Sequence, residues 1–354
     1  MDGPVLERQR QGVVDEPVLL DEREPAEPLV DDGDVEVIAS ACPVDDRQLG
    51  GVGKGRAEEL LEPLAHAFDD TSHERRYDPR EMRRLIGVTI VSTLLVLGTA
   101  GAATAELGPE SKTWAARIAS LGQRPAGGLN ELRAAKIVKV RLADLGYTVN
   151  VQRFRLPNGR ISRNVVGRTS GPVRVIIVAH MDGVHGTSAA NDNASGVGVM
   201  LTVARFLADE DGVLVAAMGA EERMVTGSSW HLGSRRLTSG FTATQKAGVR
   251  LALSVDMVGV GPTLNIRGLE SSPNRSARRL LNSARARNIR ASYLRDTGQS
   301  DHDDLTRGGI PAAWIEWRWD TCWHEPCDRI DRLRPAKLRD AARVVLGAAR
   351  AVVQ

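Results

Sequence analysis

Histidine and carboxylate residues follow several apolar stretches of this 354-residue chain. The segment VIIVAHMDGVHGTSAANDNASG ends an apolar run with His-x-Asp, and then places a second aspartate between two asparagines in a loop of small residues. Two later apolar runs end in paired glutamates and in an aspartate, and the last histidine lies between two cysteines. One such residue is usually solvated, but the recurrence indicates a shared site. The residues concerned are His180, Asp182, Asp192, Glu221, Glu222, Asp256 and His324.

Two imidazoles and several carboxylates are the nitrogen and oxygen ligands that zinc accepts in proteins. So many carboxylates in one place repel one another unless divalent cations compensate their charge. The set therefore predicts two zinc ions, bridged by one carboxylate, that activate a water molecule for hydrolysis. Adjacent side chains of an extended segment point apart, so one residue of the pair Glu221-Glu222 can bind metal while the other acts as a general base.

Alternating helical and strand patterns after residue 105 predict the scaffold that positions these residues. The alternation predicts an α/β fold, a single globular domain with a central, mostly parallel mixed sheet flanked by helices. The carboxyl ends of such strands share one edge, where ligands bind, so the polar residues are expected to meet there. Helical patterns occupy 110–121, 129–145, 195–208, 276–287 and 335–352, and strand patterns occupy 148–154, 173–179, 212–218, 250–257 and 311–317.

The motifs resemble those of metallopeptidase family twenty-eight and occur in the order that the family has them. That family includes secreted bacterial di-zinc aminopeptidases, glutamate carboxypeptidase and glutaminyl cyclase. The resemblance covers residues 106–354 and implies the zinc exopeptidase type of α/β fold. The segments that carry it are HMD at 180–182, ANDNASG at 190–196, GAEE at 219–222, VDM at 255–257, and His324 with Asp328.

Carried over by position, the resemblance implies the ligands of two zinc ions. His180 and Asp256 would bind one ion, and Glu222 and His324 would bind the other. Asp192 would bridge the two ions.

The resemblance also implies roles for residues around the metal ligands. Glu221 would be the general base. Asp182 would hydrogen-bond the first ligand histidine and fix its tautomer, and Asp328 would support the loop of the second. The peptide bond Asp192–Asn193 would be cis, as it is in the family.

These roles predict an exported zinc-dependent exopeptidase. The activity expected is that of an aminopeptidase, which hydrolyses the N-terminal residue of peptides with a free N-terminus, with Glu221 as general base. The alternatives are a glutaminyl cyclase-like acyltransferase with one zinc ion, a carboxypeptidase of the same family, or a binding protein without catalysis. No nucleic-acid motif is present, and side-chain specificity and oligomeric state stay open.

Other histidines and tryptophans receive weaker interpretations. His302, in GQSDHDDL, is by spacing an alternative to His324, but the resemblance places it beside the pocket and not on the metal. Four tryptophans near the end of the chain are interpreted as packing residues, with Trp317 and Trp323 as candidates for a hydrophobic wall beside the substrate. Metal binding is not expected of the histidines without an acidic motif around them, which are His66, His73, His185 and His231.

The region before residue 106 is predicted to lie outside the folded domain. Residues 1–81 contain 22 acidic and 9 basic residues and lack hydrophobic periodicity. They are expected to be disordered or a mis-assigned extension, with Met82 as the true start. Residues 82–105 have two arginines, an apolar core and a final Ala-Thr-Ala, which predicts a secretory signal peptide cleaved after Ala105. The product would be secreted, without stable membrane insertion; the alternative is a signal anchor that holds the catalytic domain outside.

Cys322 and Cys327 are predicted to form a disulfide, because an exported protein meets an oxidising compartment. A zinc site that uses the two thiolates is the alternative. The secreted aminopeptidases of the resembling family bridge the cysteines of the same Cys-x-His-x-x-Cys motif, which would hold His324 in place. The third cysteine, Cys42, lies in the doubtful extension.

Overall fold

The structure, a computed structural model, describes residues 106–222 and 230–354. The predictions for residues 1–81 and for the signal segment 82–105 lie outside the described residues. The described residues belong to one compact unit, in which helices cover both faces of a mixed eight-stranded sheet. This confirms the predicted α/β fold with a single domain.

The bounds of the elements follow the chain. The helices of the described residues are α1 (106–119), α2 (Leu129–Asp144), α3 (Ser195–Leu207), α4 (Leu232–Ser239), α5 (Ala243–Gly248), α6 (Arg275–Arg285), α7 (His302–Arg307) and α8 (Pro335–Val353), with an irregular turn at Ala190–Ala194 and a 3-10 turn at Ile330–Arg332. The strands are β1 (Thr148–Arg155), β2 (Ile161–Arg168), β3 (Val175–His180), β4 (Val213–Met218), β5 (Leu251–Val255), β6 (Thr263–Gly268), β7 (Ala291–Arg295) and β8 (Ala313–Arg318).

The strand order of the sheet is β1-β2-β4-β3-β5-β8-β6-β7. The four central strands β4, β3, β5 and β8 are parallel, whereas β2 and β6 flank them in the antiparallel sense. The carboxyl ends of the four parallel strands therefore share one edge of the sheet. Four chain segments leave the sheet at this edge, and each carries residues of the predicted site.

The central strands are apolar throughout because both of their faces are covered. Every residue of β3, β4 and β5 is buried. Alternate residues enter different clusters: Ile177 packs in the cluster that includes α1, α2, α3 and α8, and Ile176 packs in the cluster on the α4 and α7 side. Burying each side chain of this size stabilises the fold by roughly 1.5–3 kcal/mol.

Local signals fix where several helices begin. Asn274 caps α6, and its side-chain oxygen accepts two backbone N–H bonds of the first turn. Pro335 occupies the first position of α8, where a missing N–H group costs nothing. None of the described helices is long and apolar enough to cross a bilayer.

Candidate metal centre

His180 is the last residue of β3, and its buried ring faces two carboxylates. Its Nε2 atom lies 3.0 Å from Asp192 Oδ1 and 3.4 Å from Asp256 Oδ1. Asp256 directly follows β5, the neighbour of β3 in the sheet, and Asp192 lies in the irregular turn Ala190–Ala194. Three separate segments therefore direct ligand atoms towards one point.

His324 supplies a second such point, on the segment that follows β8. Its Nε2 atom lies 3.3 Å from Asp192 Oδ2 and 3.2 Å from Glu222 Oε2. Asp192 thus presents one carboxylate oxygen to each of the two histidines. A carboxylate so placed has the arrangement of a ligand shared by two neighbouring cations.

The turn that carries Asp192 is held by a buried carboxylate. Asp328 accepts hydrogen bonds from the backbone N–H groups of Asn191, at 2.7 Å, and of Asp192, at 3.0 Å. The role of Asp328 in supporting the loop of His324 stays a prediction, and its contact with the Asp192 turn is an addition to it. The peptide bond Asp192–Asn193 is cis, as the resemblance implied.

The turn also packs tightly against the end of β5. The Asn193 side chain donates to the carbonyl of Val255 at 2.9 Å and accepts from the N–H of Gly196 at 2.8 Å. A Cβ atom at Gly196 would collide with that carbonyl and with the Asn193 amide. Glycine is therefore required at this position, and the first turn of α3 is fixed directly behind the aspartate.

Asp182 orders the segment after β4. Its carboxylate accepts the backbone N–H groups of Glu221 and Glu222 at 3.1 and 3.2 Å. Its Oδ1 lies 3.7 Å from His180 Nδ1, which is longer than a hydrogen bond, and Nδ1 is nearer, at 3.3 Å, to the Asp182 carbonyl. The role of Asp182 in orienting His180 stays a prediction, and the contact with both glutamates is an addition to it.

Glu221, the predicted general base, lies beside two histidines. Its Oε2 lies 4.0 Å from His180 Nε2, and its Oε1 lies 3.4 Å from His231 Nε2. His231 is buried, and its Nδ1 lies 3.2 Å from Asp304 Oδ2. Burial opposes the charge of His231, but the two carboxylates raise its pKa to about 10. Sequence analysis missed this residue because Asp304 is 73 positions away along the chain.

The crowded carboxylates are strongly perturbed. Burial and the neighbouring Asp192 raise the pKa of Glu222 to about 8, and burial also raises the pKa of Asp256. Burial would lower the pKa of His324, but its contacts with Asp192 and Glu222 raise it to about 10. Glu222 Oε1 and Asp256 Oδ1 are buried without a hydrogen-bond partner among the described residues. Buried acceptors without donors, beside two imidazoles, fit divalent cations.

A fully buried arginine that the sequence analysis did not single out shapes the loop after β3. Arg124 donates to the carbonyls of Met181, Ser188 and Ala189 at 2.9, 2.7 and 2.9 Å. Burial lowers its pKa to about 10, against the opposing effect of the site carboxylates, of which that of Asp182 is the largest. The arginine ties both ends of the loop together, although nothing in the surrounding sequence signals this.

A cavity of about 410 Å³ opens over the predicted metal ligands. Trp323 lines it, as predicted, and 51% of its surface is exposed. Trp317 is absent from the lining: its Nε1 donates to the Lys337 carbonyl, and Lys337 lies over its ring. The lining also includes Trp230, Trp314, Trp319, Arg267 and Glu316.

Two further sequence alternatives are resolved by their contacts. His302 is buried, and its Nε2 lies 3.0 Å from Asp296 Oδ2, so it pairs with an aspartate outside the predicted site. Cys322 and Cys327 form a disulfide with a Cα–Cα distance of 5.4 Å, which confirms the predicted bridge. The bridge brackets His324 and leaves these two thiols unavailable to a metal.

A comparison with protein families decides the family of the chain. The model of Peptidase family M28 matches residues 164–349, which is more than half of the chain. The chain belongs to peptidase family M28. The matched stretch runs from β2 into α8 and includes all seven residues of the predicted site, so the resemblance inferred from the motifs is confirmed.

Curated relatives of this M28 chain are named aminopeptidases. Aminopeptidase YwaD of Bacillus subtilis (strain 168) is 27% identical over 208 residues, which cover 53% of this chain and 44% of that protein. A probable leucine aminopeptidase of Arthroderma benhamiae is 26% identical over 195 residues, which cover 49% and 52%. The chain therefore spans about half the length of the curated relatives it matches.

Solved structures share the fold. The M28 chain superposes on BSAP, a zinc aminopeptidase from Bacillus subtilis, with a TM-score of 0.65 and 17% identity over 70% of this chain and 95% of that one. Porphyromonas gingivalis glutaminyl cyclase gives a TM-score of 0.61 and 21% identity over 69% and 98%. At such identities the likeness establishes the fold, and the activity is argued separately below.

Proposed function

We propose that this M28 chain is a zinc-dependent aminopeptidase, an exopeptidase that removes residues from the free N-terminus of peptides. The observation that carries the proposal is the placement of Asp192, whose two oxygens lie 3.0 and 3.3 Å from the Nε2 atoms of different histidines. The names of the curated relatives support the aminopeptidase activity.

The donor set fits two zinc ions. His180 and Asp256 would hold one ion, and Glu222 and His324 would hold the other. Asp192 would bind both ions. Imidazole nitrogen and carboxylate oxygen are ordinary zinc ligands, and two of the buried oxygens have no competing donor among the described residues. Zinc held there supplies Lewis acidity towards a carbonyl oxygen and towards water.

Glu221 would act as general base and then as general acid. Its Oε2 faces the His180 side of the cluster, and its backbone is fixed by Asp182. Oε2 would accept a proton from the water that attacks the scissile carbonyl, and would then donate that proton to the leaving amine. The neighbouring Glu222 points instead at His324, so the two glutamates have separate tasks.

The carboxylates of the cavity also suit recognition of a chain end. Glu221 and Asp256 line the cavity and offer negative charge to a free α-ammonium group. Trp314 and Trp323 provide apolar surface for the N-terminal side chain. An interior residue of a peptide has no ammonium group, so this arrangement favours an exopeptidase.

The proposal is tested with aminoacyl p-nitroanilides and the zinc-loaded protein. Wild type is expected to cleave them and to leave N-acetylated substrates intact. Glu221→Gln is expected to lose activity by roughly 10²- to 10⁴-fold while it retains zinc. A zinc-loaded wild type that cleaves neither nitroanilides nor peptides would overturn the proposal.

The glutaminyl cyclase fold neighbours make a cyclising acyltransferase the second candidate. Such an enzyme would convert an N-terminal glutaminyl peptide to pyroglutamyl peptide with release of ammonia. Metal analysis separates the two functions, because the aminopeptidase proposal expects two zinc ions per chain and the acyltransferase one. A carboxypeptidase would instead cleave peptides with a blocked N-terminus and a free C-terminus.

Export of the protein belongs to the same proposal. The Cys322–Cys327 disulfide supports it, because such bonds persist in oxidising compartments and are rare in the cytosol. The segment 82–105, with its arginines, apolar core and final Ala-Thr-Ala, would direct the export.

A further inference from the structure

A histidine that the proposed chemistry does not use lies against the proposed base. His231 is buried and sits just before α4. Its Nε2 lies 3.4 Å from Glu221 Oε1, and its Nδ1 lies 3.2 Å from Asp304 Oδ2. The imidazole therefore connects Glu221 to an aspartate of α7.

The backbone ties the two residues together independently of the side chains. The N–H of His231 donates to the carbonyl of Glu221 at 2.9 Å, and the N–H of Leu232 donates to the carbonyl of Ala220 at 2.8 Å. Ala220 and His231 both have positive φ angles, 54° and 51°, which residues other than glycine adopt rarely. Such conformations persist only where the surroundings enforce them, so the backbone of His231 is held beside that of Glu221.

Asp304 restrains the ring from behind. Its Oδ2 faces His231 Nδ1, and its Oδ1 accepts a hydrogen bond from Arg235 Nε at 3.1 Å. Rotation of the imidazole would break the contact at Nδ1. The buried Nε2 makes no hydrogen bond to any other described residue. The carboxylate oxygen Glu221 Oε1 lies within ion-pair distance of it.

We infer that His231 is a positioning residue for Glu221, held by Asp304 so that its Nε2 fixes Oε1 and leaves Oε2 directed at the reacting water. The inference rests on the proposed function, in which Glu221 is the base. A glutamate side chain has several rotatable bonds, and a displacement of about 1 Å at a reacting group can cost roughly 100-fold in rate. A donor that grips one oxygen removes this freedom without occupying the other.

A separate cation site is the competing explanation for the same residues. His231, Asp303 and Asp304 offer ligand atoms that lie close together. However, Asp303 pairs with Arg307 and Asp304 pairs with Arg235. The carboxylates are already compensated by guanidinium groups, which favours the positioning role.

The test compares kinetics and zinc content of substituted enzymes. His231→Leu removes the donor and keeps a side chain of similar bulk, and it is expected to lower kcat roughly 10- to 100-fold with zinc content unchanged. His231→Gln restores a nitrogen donor at the place of Nε2 and is expected to recover part of kcat. His185→Leu is the matched control, because His185 is an exposed histidine outside the cavity lining, and it is expected to behave as wild type.

Crystal structures of the zinc-loaded proteins supply a readout that does not depend on activity. In wild type, His231 Nε2 is expected within about 2.6–3.2 Å of Glu221 Oε1, and in His231→Leu the glutamate is expected to turn away. If His231→Leu does not fold, His231→Gln and Asp304→Asn carry the same comparisons, with a smaller loss of kcat expected for each.

The inference is overturned if Glu221 keeps its position in the variants, or if their kcat equals that of the His185→Leu control. A loss of zinc in step with the loss of kcat would also overturn it, because the histidine would then act on metal binding. A zinc-loaded wild type without peptidase activity would refute the proposed function, whereas the position of Glu221 would still decide the role of His231.

Discussion

At the scale of single residues, the position of Asp192 depends on Asp328. Asp328 is buried, and its two oxygens accept the backbone N–H groups of Asn191 and Asp192. Asp328→Asn replaces one of these acceptor oxygens by an NH2 group, a donor that would face a backbone N–H group, also a donor. Carboxylates that orient metal ligands typically contribute 10- to 100-fold to metal affinity. We therefore expect the zinc affinity of Asp328→Asn to fall by roughly that factor, as measured by competition with a chromogenic chelator.

The matched control for this substitution is Asp331→Asn. Asp331 lies three positions further on, and 69% of its side chain is exposed, in an ion pair with Arg329. Exposed pairs of this kind contribute little, so the control is expected to hold zinc as wild type does. Equal affinity in both variants would show that the turn keeps its shape without the Asp328 carboxylate.

The residue types of the proposed metal site were predictable, but the buried residues that support them were not. Histidine and carboxylate residues at strand ends suggested ligands because zinc needs those atoms, and the structure brings His180, Asp192 and His324 together. His231 and Arg124 gave no signal, because each acts through partners that are distant along the chain. A contact set by tertiary packing leaves no spacing to recognise.

At the scale of elements, the disulfide fixes the segment that follows β8. Cys322 and Cys327 close a short loop around His324, which reaches the cluster with no strand or helix of its own. Replacing both cysteines by serine frees this loop, so the imidazole must be ordered when the metal binds. We expect the affinity for one of two zinc ions to fall by about tenfold or more, and the other to change little, in a chelator titration.

Reduction of the wild-type protein should reproduce the effect of the double substitution, and it should have no effect on the serine variant. If both zinc ions are held as tightly after either treatment, the fold alone keeps His324 in place, and the disulfide is dispensable.

A buried glutamate links α2 to β2 and makes the stability of the fold depend on pH. Glu131 accepts from the N–H of Gly127 at 2.8 Å and from the hydroxyl of Ser162. Burial raises its pKa from 4.5 to about 8. The folded state thus holds the proton more tightly than the unfolded chain, and this contribution to stability is full below about pH 4.5 and is lost as the pH rises to about 8.

Glu131→Gln keeps an uncharged side chain at every pH and should remove this dependence. The free energy of unfolding of the variant, relative to wild type, is expected to rise between about pH 5 and about pH 8, by at most about 1.4 kcal/mol per pH unit. Urea unfolding of the metal-free proteins measures it. Glu106→Gln, at an exposed position, is the control, and a difference that stays constant with pH would contradict the argument.

The sequence predicted the central strands from their continuous apolar patterns. β3, β4 and β5 are buried on both faces, so their apolar runs are unbroken. β2 was missed because two buried polar residues, Arg163 and Asn164, interrupt its apolar pattern. Burial of Asn164 is possible because its side chain donates to the carbonyl of Gly233. β7 was missed because it is an edge strand of five residues, none of which is buried. Pairing with a neighbour, not its own hydrophobicity, makes each of these segments a strand.

At the scale of the whole molecule, export would decide whether the Cys322–Cys327 disulfide forms. The proposed signal segment precedes residue 106, and the bridge lies near the other end of the chain. A cleaved and exported protein should therefore begin near Glu106 and carry an oxidised Cys322–Cys327 pair. Intact-mass and N-terminal peptide analysis of the protein from the medium of its native host, before and after reduction, measures both features.

The two parts of this prediction separate its alternatives. A chain that begins near Glu106 supports cleavage, whereas a chain that keeps residues 82–105 and fractionates with membranes supports a signal anchor. Retention in the cytosol with both thiols free would contradict export altogether. In that case the disulfide around His324 would be absent in the cell, because glutathione and thioredoxin keep cytosolic thiols reduced. The zinc affinity in the cell would then be that of the reduced protein.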